Sequence, residues 1–550
     1  MPAYVILMPL ILGLAGSAAR AKWLPGVMVL ASLGLLAGCA VIAAGPFWQG
    51  HWSFLNLTGY DITIRLGTAS LADWMAVLTA LINLCAQLYS LGYFAHDPRQ
   101  GYFQSVLLGF TGAMLLMVFG QNLFTQFVGW EFMGVGSYLL VGYFRSQPLA
   151  RYAASKAMLV TRIGDVFFLL AVVLAVAHHQ DSLNALNTHG SGFIAWALLI
   201  AVAAKSAQGP NASWLLDAMA GPTPASALIH AATMVAAGPY LLIRYSPLLE
   251  RTPHILLALI LLGGSTAILA AWGALGAQEA KRLLAFSTVS QLGMMILAIG
   301  LGSWRVAWAL LVAHAFYKAL LFFVTGIASH RAGSGALSKL RGSLGRWEIG
   351  VLLASGVLGV SGLPPTGGYV AKEALYHISR GSMASLGIDL MLSLLGGAYS
   401  ARLFQSFIGQ PEADRTRSAS WMLLPAVWLS FLVVLNFFWH PWVSLMAIPL
   451  QNSWPSLVVV GIGVGLGAVW AKPFQMFSGK IFLAAWQAVK ITGRTIGRFD
   501  QALSDGLWDT RIVLGWVTRV VQLGASGRAE RYVLISGIVV VLFLIWNMHP

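Results

Sequence analysis

Charge is what this 550-residue chain has least of: 9% of its residues are Asp, Glu, Lys or Arg, against 58% hydrophobic. A soluble protein carries about 25% charged residues. An aqueous globular domain is therefore excluded, and the chain reads as an all-α polytopic membrane protein. Cysteine is nearly absent as well. Cys39 and Cys85 both fall in apolar segments, which excludes a disulfide framework and offers no metal-ligand spacing. There is no CxxC, no GxGxxG between a strand and a helix, and no Walker sequence. No cofactor or metal is expected, and any redox or nucleotide chemistry would belong to a partner. The net charge of +15 comes from basic residues in loops and in one late stretch. That distribution is a matter of membrane topology, and nucleic acid is not an expected partner.

What is present in quantity is apolar helix. Hydropathy gives about sixteen transmembrane spans, from 3–18 to 530–547. The first run lacks a basic leader and reads as a span, not a cleavable signal. The organisation expected is N-terminal helices over 1–100, a core over 101–408, additional helices over 409–471, an amphipathic segment over 472–528 and a C-terminal span within 529–550. Basic loops alternate. Arg20, Lys22, Arg99, Arg145, Arg151, Lys156, Lys281, Arg282, Arg331, Lys339, Arg341, Arg346, Arg415 and Arg417 fall on one side. By the positive-inside rule that side is cytoplasmic and both termini are periplasmic, as for a multi-pass protein of a bacterial inner membrane. Over 472–528, Phe482, Trp486, Val489, Ile496, Phe499 and Leu503 recur at helical spacing, with Lys490, Arg494 and Arg498 as a basic stripe. This pattern predicts a lateral helix lying on the cytoplasmic face, against the bilayer or a neighbouring helix.

The few charges inside spans are the most informative residues. Lys205 sits in LIAVAAKSAQGP and His230 in ASALIHAATMV, with Gly209-Pro210 and the run Gly221-Pro222-Thr223-Pro224 between them. A lysine at membrane depth costs about 2.5–3.5 kcal/mol on insertion scales. Interrupted backbone is tolerated there only where it is buried in protein or lines a cavity. A lysine can also snorkel from a span end, so the rest of the series decides. Glu131 lies in FVGWEFMGVG, and Arg162 and Asp165 lie three residues apart in VTRIGDVF, on one helix face. Lys281 opens a span, His314 and Lys318 are one turn apart in HAFYKALLFF, and Lys372 with Glu373 follows a second break, GLPPTGG. A series of acids, bases and imidazoles at this depth marks an ion pathway. Two lysines beside two discontinuous helices, one in each half of the core, are the sign of an inverted-repeat transporter: two inverted repeats of five helices with an ion site between them. A metalloenzyme using His178 and His179 is the competing reading, but both lie in a polar loop, HHQDS.

These motifs, with DAMAGPTPASALIHAATMV and KR.LAFST.SQ, resemble the proton-translocating antiporter-like family. That family comprises the distal L subunit of respiratory complex I, the MrpA subunit of sodium/proton antiporters, and DabB of inorganic carbon pumps. The resemblance implies that Glu131 pairs with Lys205, that Asp165 modulates the pair, and that His230, His314 and Lys318 form a central relay. It makes Lys372 the exit-side group, with Arg162, Lys281 and Glu373 in support. Departures over GPNASWLLDAM and the modest length of 472–528 favour DabB, the membrane subunit of an energy-coupled CO2/bicarbonate pump. Its expected partner is then a DabA-type zinc protein on the cytoplasmic face. The alternative is the distal antiporter-like subunit of a proton-pumping NADH-quinone oxidoreductase, with other complex I membrane subunits as partners. The two-domain MrpA is expected less, since little follows the final span. In every branch the chain is expected to conduct protons or another cation, with H+ and Na+ both open on the sequence, and whether the assembly is an enzyme depends on the partner.

Overall fold

The computed structural model describes residues 2–19, 21–57, 60–409, 420–438 and 454–469. The amphipathic segment 472–528, the expected span 530–547 and the loop with Arg415 and Arg417 lie outside the described residues. The chain is a multi-pass membrane protein. Among the described residues, ten helices are long and apolar enough to cross a membrane, and three shorter apolar helices accompany them.

In order, the chain forms α1 (Pro2–Ala18), α2 (Leu24–Ala44), a hairpin of β1 (Gln49–Leu57) and β2 (Tyr60–Gly67), α3 (Ser70–Tyr93), α4 (Gln100–Phe119), α5 (Leu123–Val141) and α6 (Pro148–Ala177). There follow α7 (Leu183–His189), α8 (Gly192–Lys205), α9 (Ala212–Asp217), α10 (Thr223–Ala231), α11 (Ala237–Arg244) and α12 (Ser246–Arg251). The second half holds α13 (Ile255–Gly276), α14 (Ala280–Gly300), α15 (Trp304–Ala332), α16 (Ala354–Ser361), α17 (Gly367–Ser379), α18 (Met383–Gln405), α19 (Ser420–Phe438) and α20 (Trp454–Val469). Helix α14 is buried along its whole span and α15 nearly so, whereas α2, α6 and α13 turn most of their surface outward. The centre of the bundle is therefore α14 and α15, mostly apolar all round as fully surrounded helices are, with Ser287, Gln291, His314 and Lys318 as buried polar exceptions. Gly263 lets α13 approach α14 closely: a Cβ there would stand 2.6 Å from the Gly293 carbonyl oxygen. Small residues at such crossings are how membrane helices gain packing without a hydrophobic driving force.

The expected discontinuous helices are present. Helix α8 stops at Lys205, passes through a turn where Gly209 has φ +57°, and resumes as α9. Helix α16 ends at Gly362, φ +82°, and the chain restarts as α17 after Thr366, whose side chain accepts from the Tyr369 N–H. A third interruption was not expected. The predicted span 222–245 divides into α10 and α11 around 232–236, a stretch with neither Gly nor Pro. Its cause lies just downstream: Pro239 has no N–H for the Val235 carbonyl, and Ser206 Oγ donates to that carbonyl instead, at 2.9 Å. Thr79 Oγ1 donates to Ala232 O at 3.1 Å, and a ring nitrogen of His314 reaches His230 O at 3.0 Å. These three carbonyls thus find side chains, which is what makes a break tolerable inside a membrane.

The β-hairpin is the other difference from the all-helical expectation. Its register runs Gln49 against Gly67 to Leu57 against Tyr60, with an irregularity between Ser53 and Leu55. Ile62, Ile64 and Leu66 alternate with polar residues, a period-two signal hidden between two much stronger hydropathy peaks.

Candidate functional site

The buried charges fall into two groups. The first is held by α5, α6 and α8. Helix α6 comes close to α8 at Gly164, where a Cβ would stand 2.5 Å from Ala204 Cβ. That approach brings Asp165 to the end of α8. Lys205 Nζ lies 3.3 Å from Asp165 Oδ1, donates to Trp130 O at 3.2 Å, and sits 4.9 Å from the Trp130 ring centroid. The indole N–H of Trp130 donates to the same Asp165 oxygen at 2.6 Å. Lys205 is fully buried.

This arrangement corrects one sequence expectation. The carboxylate beside Lys205 is Asp165, whereas Glu131 is paired with Arg162. Arg162 also stands 3.7 Å from Asp165, the contact its three-residue spacing predicts. Glu131 and Lys205 come from helices on either side of Arg162, and a longer-reaching guanidinium presents more donors than an ammonium. The two cations share one surface: the Cβ position of Gly134 is 3.5 Å from Lys205 Nζ and 3.6 Å from Arg162 Nη2.

The second group is held by α10, α14, α15, α17 and α18. His314 bonds the carbonyl of His230 in the break, and Lys318, one turn on, donates to Ser287 Oγ of α14. Among the described residues both ring nitrogens of His230 are without a hydrogen-bond partner, and its ring packs 4.8 Å from that of Phe322. Lys318 and Lys372 are close enough to interact electrostatically. Lys372 Nζ caps the carbonyls of Val360 and Ser361 at 2.7 and 3.3 Å. A cation is favoured there, at the negative end of a half-helix. Glu373 turns away, accepting from Ser456 Oγ at 2.6 Å and lying 3.5 Å from His377. Lys281, in the first turn of α14, donates to Gly221 O at 3.0 Å. It lines a cavity of about 340 Å³ with Tyr93, Thr223, Glu279, Ser329 and His330. Thr223 begins α10, and His230 lies two turns further along the same helix. The groups meet at the α10–α11 break: Ser206, next to Lys205, bonds one of its carbonyls and His314 another.

Sequence reasoning missed several participants. Tyr317 donates to Gln291 Oε1 at 2.9 Å, and Gln291 donates to Tyr399 at 3.3 Å. This buried bridge crosses from α15 through α14 to α18, beside Lys318. Ser287 and Gln291 stand one turn apart in FSTVSQLG, and Asp389 in SLGIDLML is a further buried acid. The signal was available: each is a polar residue in an otherwise apolar span. His178, of the competing metal reading, bonds the Leu174 carbonyl of its own helix at 2.7 Å.

Residues 120–396 match the family model described as NADH:quinone oxidoreductase/Mrp antiporter, transmembrane. NADH-ubiquinone oxidoreductase chain 5 of Candida albicans is 37% identical over 387 residues, covering 66% of this chain and 69% of that one. NADH-quinone oxidoreductase subunit L of Escherichia coli is 33% identical over 431 residues, covering 74% and 70%. Among solved structures, a chain of the Mrp complex from Dietzia sp. superposes with TM-score 0.80 at 24% identity, over 98% of this chain and 63% of that longer one. A chain of the archaeal membrane-bound sulfane sulfur reductase gives 0.71 at 19% identity, over 84% and 99%. These two likenesses concern the fold.

Proposed function

The chain belongs to the NADH:quinone oxidoreductase/Mrp antiporter family, and from that premise we propose that it carries protons as the distal antiporter-like subunit of a quinone-oxidoreductase-type complex in a bacterial inner membrane. The observation that carries the proposal is Lys205, fully buried, ion-paired to Asp165 at 3.3 Å and beside a second, exchangeable acid–base pair. An ammonium that loses its carboxylate in a dry site is an uncompensated buried charge, and releasing its proton removes that cost. Exchange of Glu131 between Arg162 and Lys205 is the switch. His230, His314 and Lys318 receive the proton, the Tyr317–Gln291–Tyr399 bridge keeps their helices in register, and Lys372 passes it out. The cavity at Lys281 is the inlet from the cytoplasmic side.

Partner subunits are part of this reading. The Arg162 and Glu131 side chains are 30% and 18% exposed on the outward surface of α5 and α6, at membrane depth. Lipid is a poor cover for an ion pair, so a neighbouring membrane subunit lies against this face.

The expectation that the chain is a DabB-type subunit of an inorganic carbon pump gives way to the complex I alternative, because the relatives above at 33–37% identity are NADH-quinone and NADH-ubiquinone oxidoreductase subunits. The second reading keeps one support, the divergent GPNASWLLDAM segment after Lys205. Purification of the tagged chain from native membranes in mild detergent separates the two. Quinone-reducing subunits in stoichiometric amount support the proposal, and a DabA-type zinc protein in their place overturns it.

A further inference from the structure

Lys372 and Glu373 look like an acid–base pair in the sequence, yet adjacent residues on a helix face apart, and these two do. Lys372 reaches the α16 carbonyls and Glu373 reaches Ser456 and His377. No carboxylate lies within ion-pair distance of Lys372 among the described residues, in contrast to Lys205. Helix α18 comes close to the Lys372 Nζ and carries the buried acid Asp389. Asp389 is 1% exposed, and among the described residues neither of its carboxylate oxygens has a hydrogen-bond partner. A buried carboxyl group without a partner is costly, and at membrane depth such a group marks an ion path.

Its position along α18 gives a direction. The Cβ position of Gly396 is 3.4 Å from Lys372 Nζ. Asp389 stands two turns before Gly396 on the same helix face, about 10 Å toward the N-terminus of α18. That is also the end where α17 stops, and where His377 and Arg380 stand. The basic-loop pattern assigns this end to the periplasm.

We propose that Asp389 is the proton-binding group that follows Lys372. Resting on the function proposed above, the step balances simply. Released from the α16 carbonyls, the flexible arm of Lys372 swings toward Asp389. One proton leaves Nζ and joins a carboxylate oxygen, so an ammonium and a carboxylate become a neutral amine and a neutral acid. The acid then loses its proton toward Glu373, His377 and the water beyond Ser382, regenerating the carboxylate.

The test uses the full complex in native membranes and two independent readouts. Asp389→Asn is expected to lower driven proton flux about a hundredfold, the usual contribution of a positioned proton-transfer group. Asp389→Glu, which restores the carboxyl group, is expected to keep most of the flux. Full flux in Asp389→Asn while Lys205→Ala abolishes it overturns the proposal and leaves the function standing. The second readout needs no transport: assembled complex is quantified for Asp389→Asn, Lys372→Gln and the double variant. Coupled charges predict that each single variant lowers assembly and that the double variant recovers it, because no unpaired buried charge remains. Strictly additive losses overturn the pairing even if Lys205 proves irrelevant to flux.

Discussion

Asp165→Asn is the sharpest test of the pairing seen around Lys205. The substitution keeps the shape of the side chain and an acceptor for the Trp130 indole N–H at 2.6 Å; it removes the charge. At the observed 3.3 Å, two unit charges interact by about 5 kcal/mol at an effective dielectric of 20. What remains for an ammonium is the Trp130 carbonyl at 3.2 Å and the indole face, the latter worth about 0.5–2 kcal/mol. The protonated form thus loses several kcal/mol relative to the neutral amine, and each 1.4 kcal/mol is about tenfold in occupancy. Asp165→Asn is therefore expected to give a complex whose lysine seldom holds a proton. The assay is substrate-driven acidification of inverted membrane vesicles, followed by dye quenching and normalised to chain abundance. Flux should fall by about tenfold or more, and Arg162→Gln, which frees Glu131 to approach Lys205, should restore part of it in the double variant. Wild-type flux in Asp165→Asn would refute the reasoning, since a 3.3 Å partner that can be neutralised freely sets nothing.

Three further outcomes are expected. Thr79→Ala and Ser206→Val each orphan a buried carbonyl in the α10–α11 break, at a cost of about 1–3 kcal/mol; a lower melting temperature of the purified complex checks this, and an unchanged one contradicts it. Tyr317→Phe cuts the link to Gln291 at 2.9 Å and should slow proton flux while shifting the melting temperature little, read on the same preparation. Trp486→Ala with Phe499→Ala should reduce assembly, whereas neutralising Lys490, Arg494 and Arg498 should act modestly and mainly at low salt; the opposite ranking, measured as complex recovered from membranes, would give the 472–528 segment a part in charge movement.

The helical architecture was legible because membrane spans announce themselves by composition alone, and the discontinuities at 206–211 and 362–366 because Gly and Pro mark them. The break at 232–236 was not, since its determinants are Pro239 several residues away and the hydroxyls of Thr79 and Ser206 on other helices. The β1–β2 hairpin was masked by the apolar runs on either side. At the site, residue identity was readable and pairing was not. Glu131, Arg162, Asp165 and Lys205 all stood out as charges in apolar surroundings, but which acid meets which base depends on the α6–α8 approach at Gly164. The same limit hid Asp389: Glu373 is next to Lys372 in the chain, and only the course of α18 puts a different acid in front of it.

The central claim is that protons move through this chain's own buried groups and that the partner supplies the driving reaction. The measurement that bears on it most directly is the number of protons translocated per turnover of the assembled complex, compared between wild type and Lys205→Ala with assembly verified. The account predicts that the stoichiometry falls, or that turnover and translocation stop together. An assembled Lys205→Ala complex with wild-type turnover and wild-type stoichiometry would contradict it.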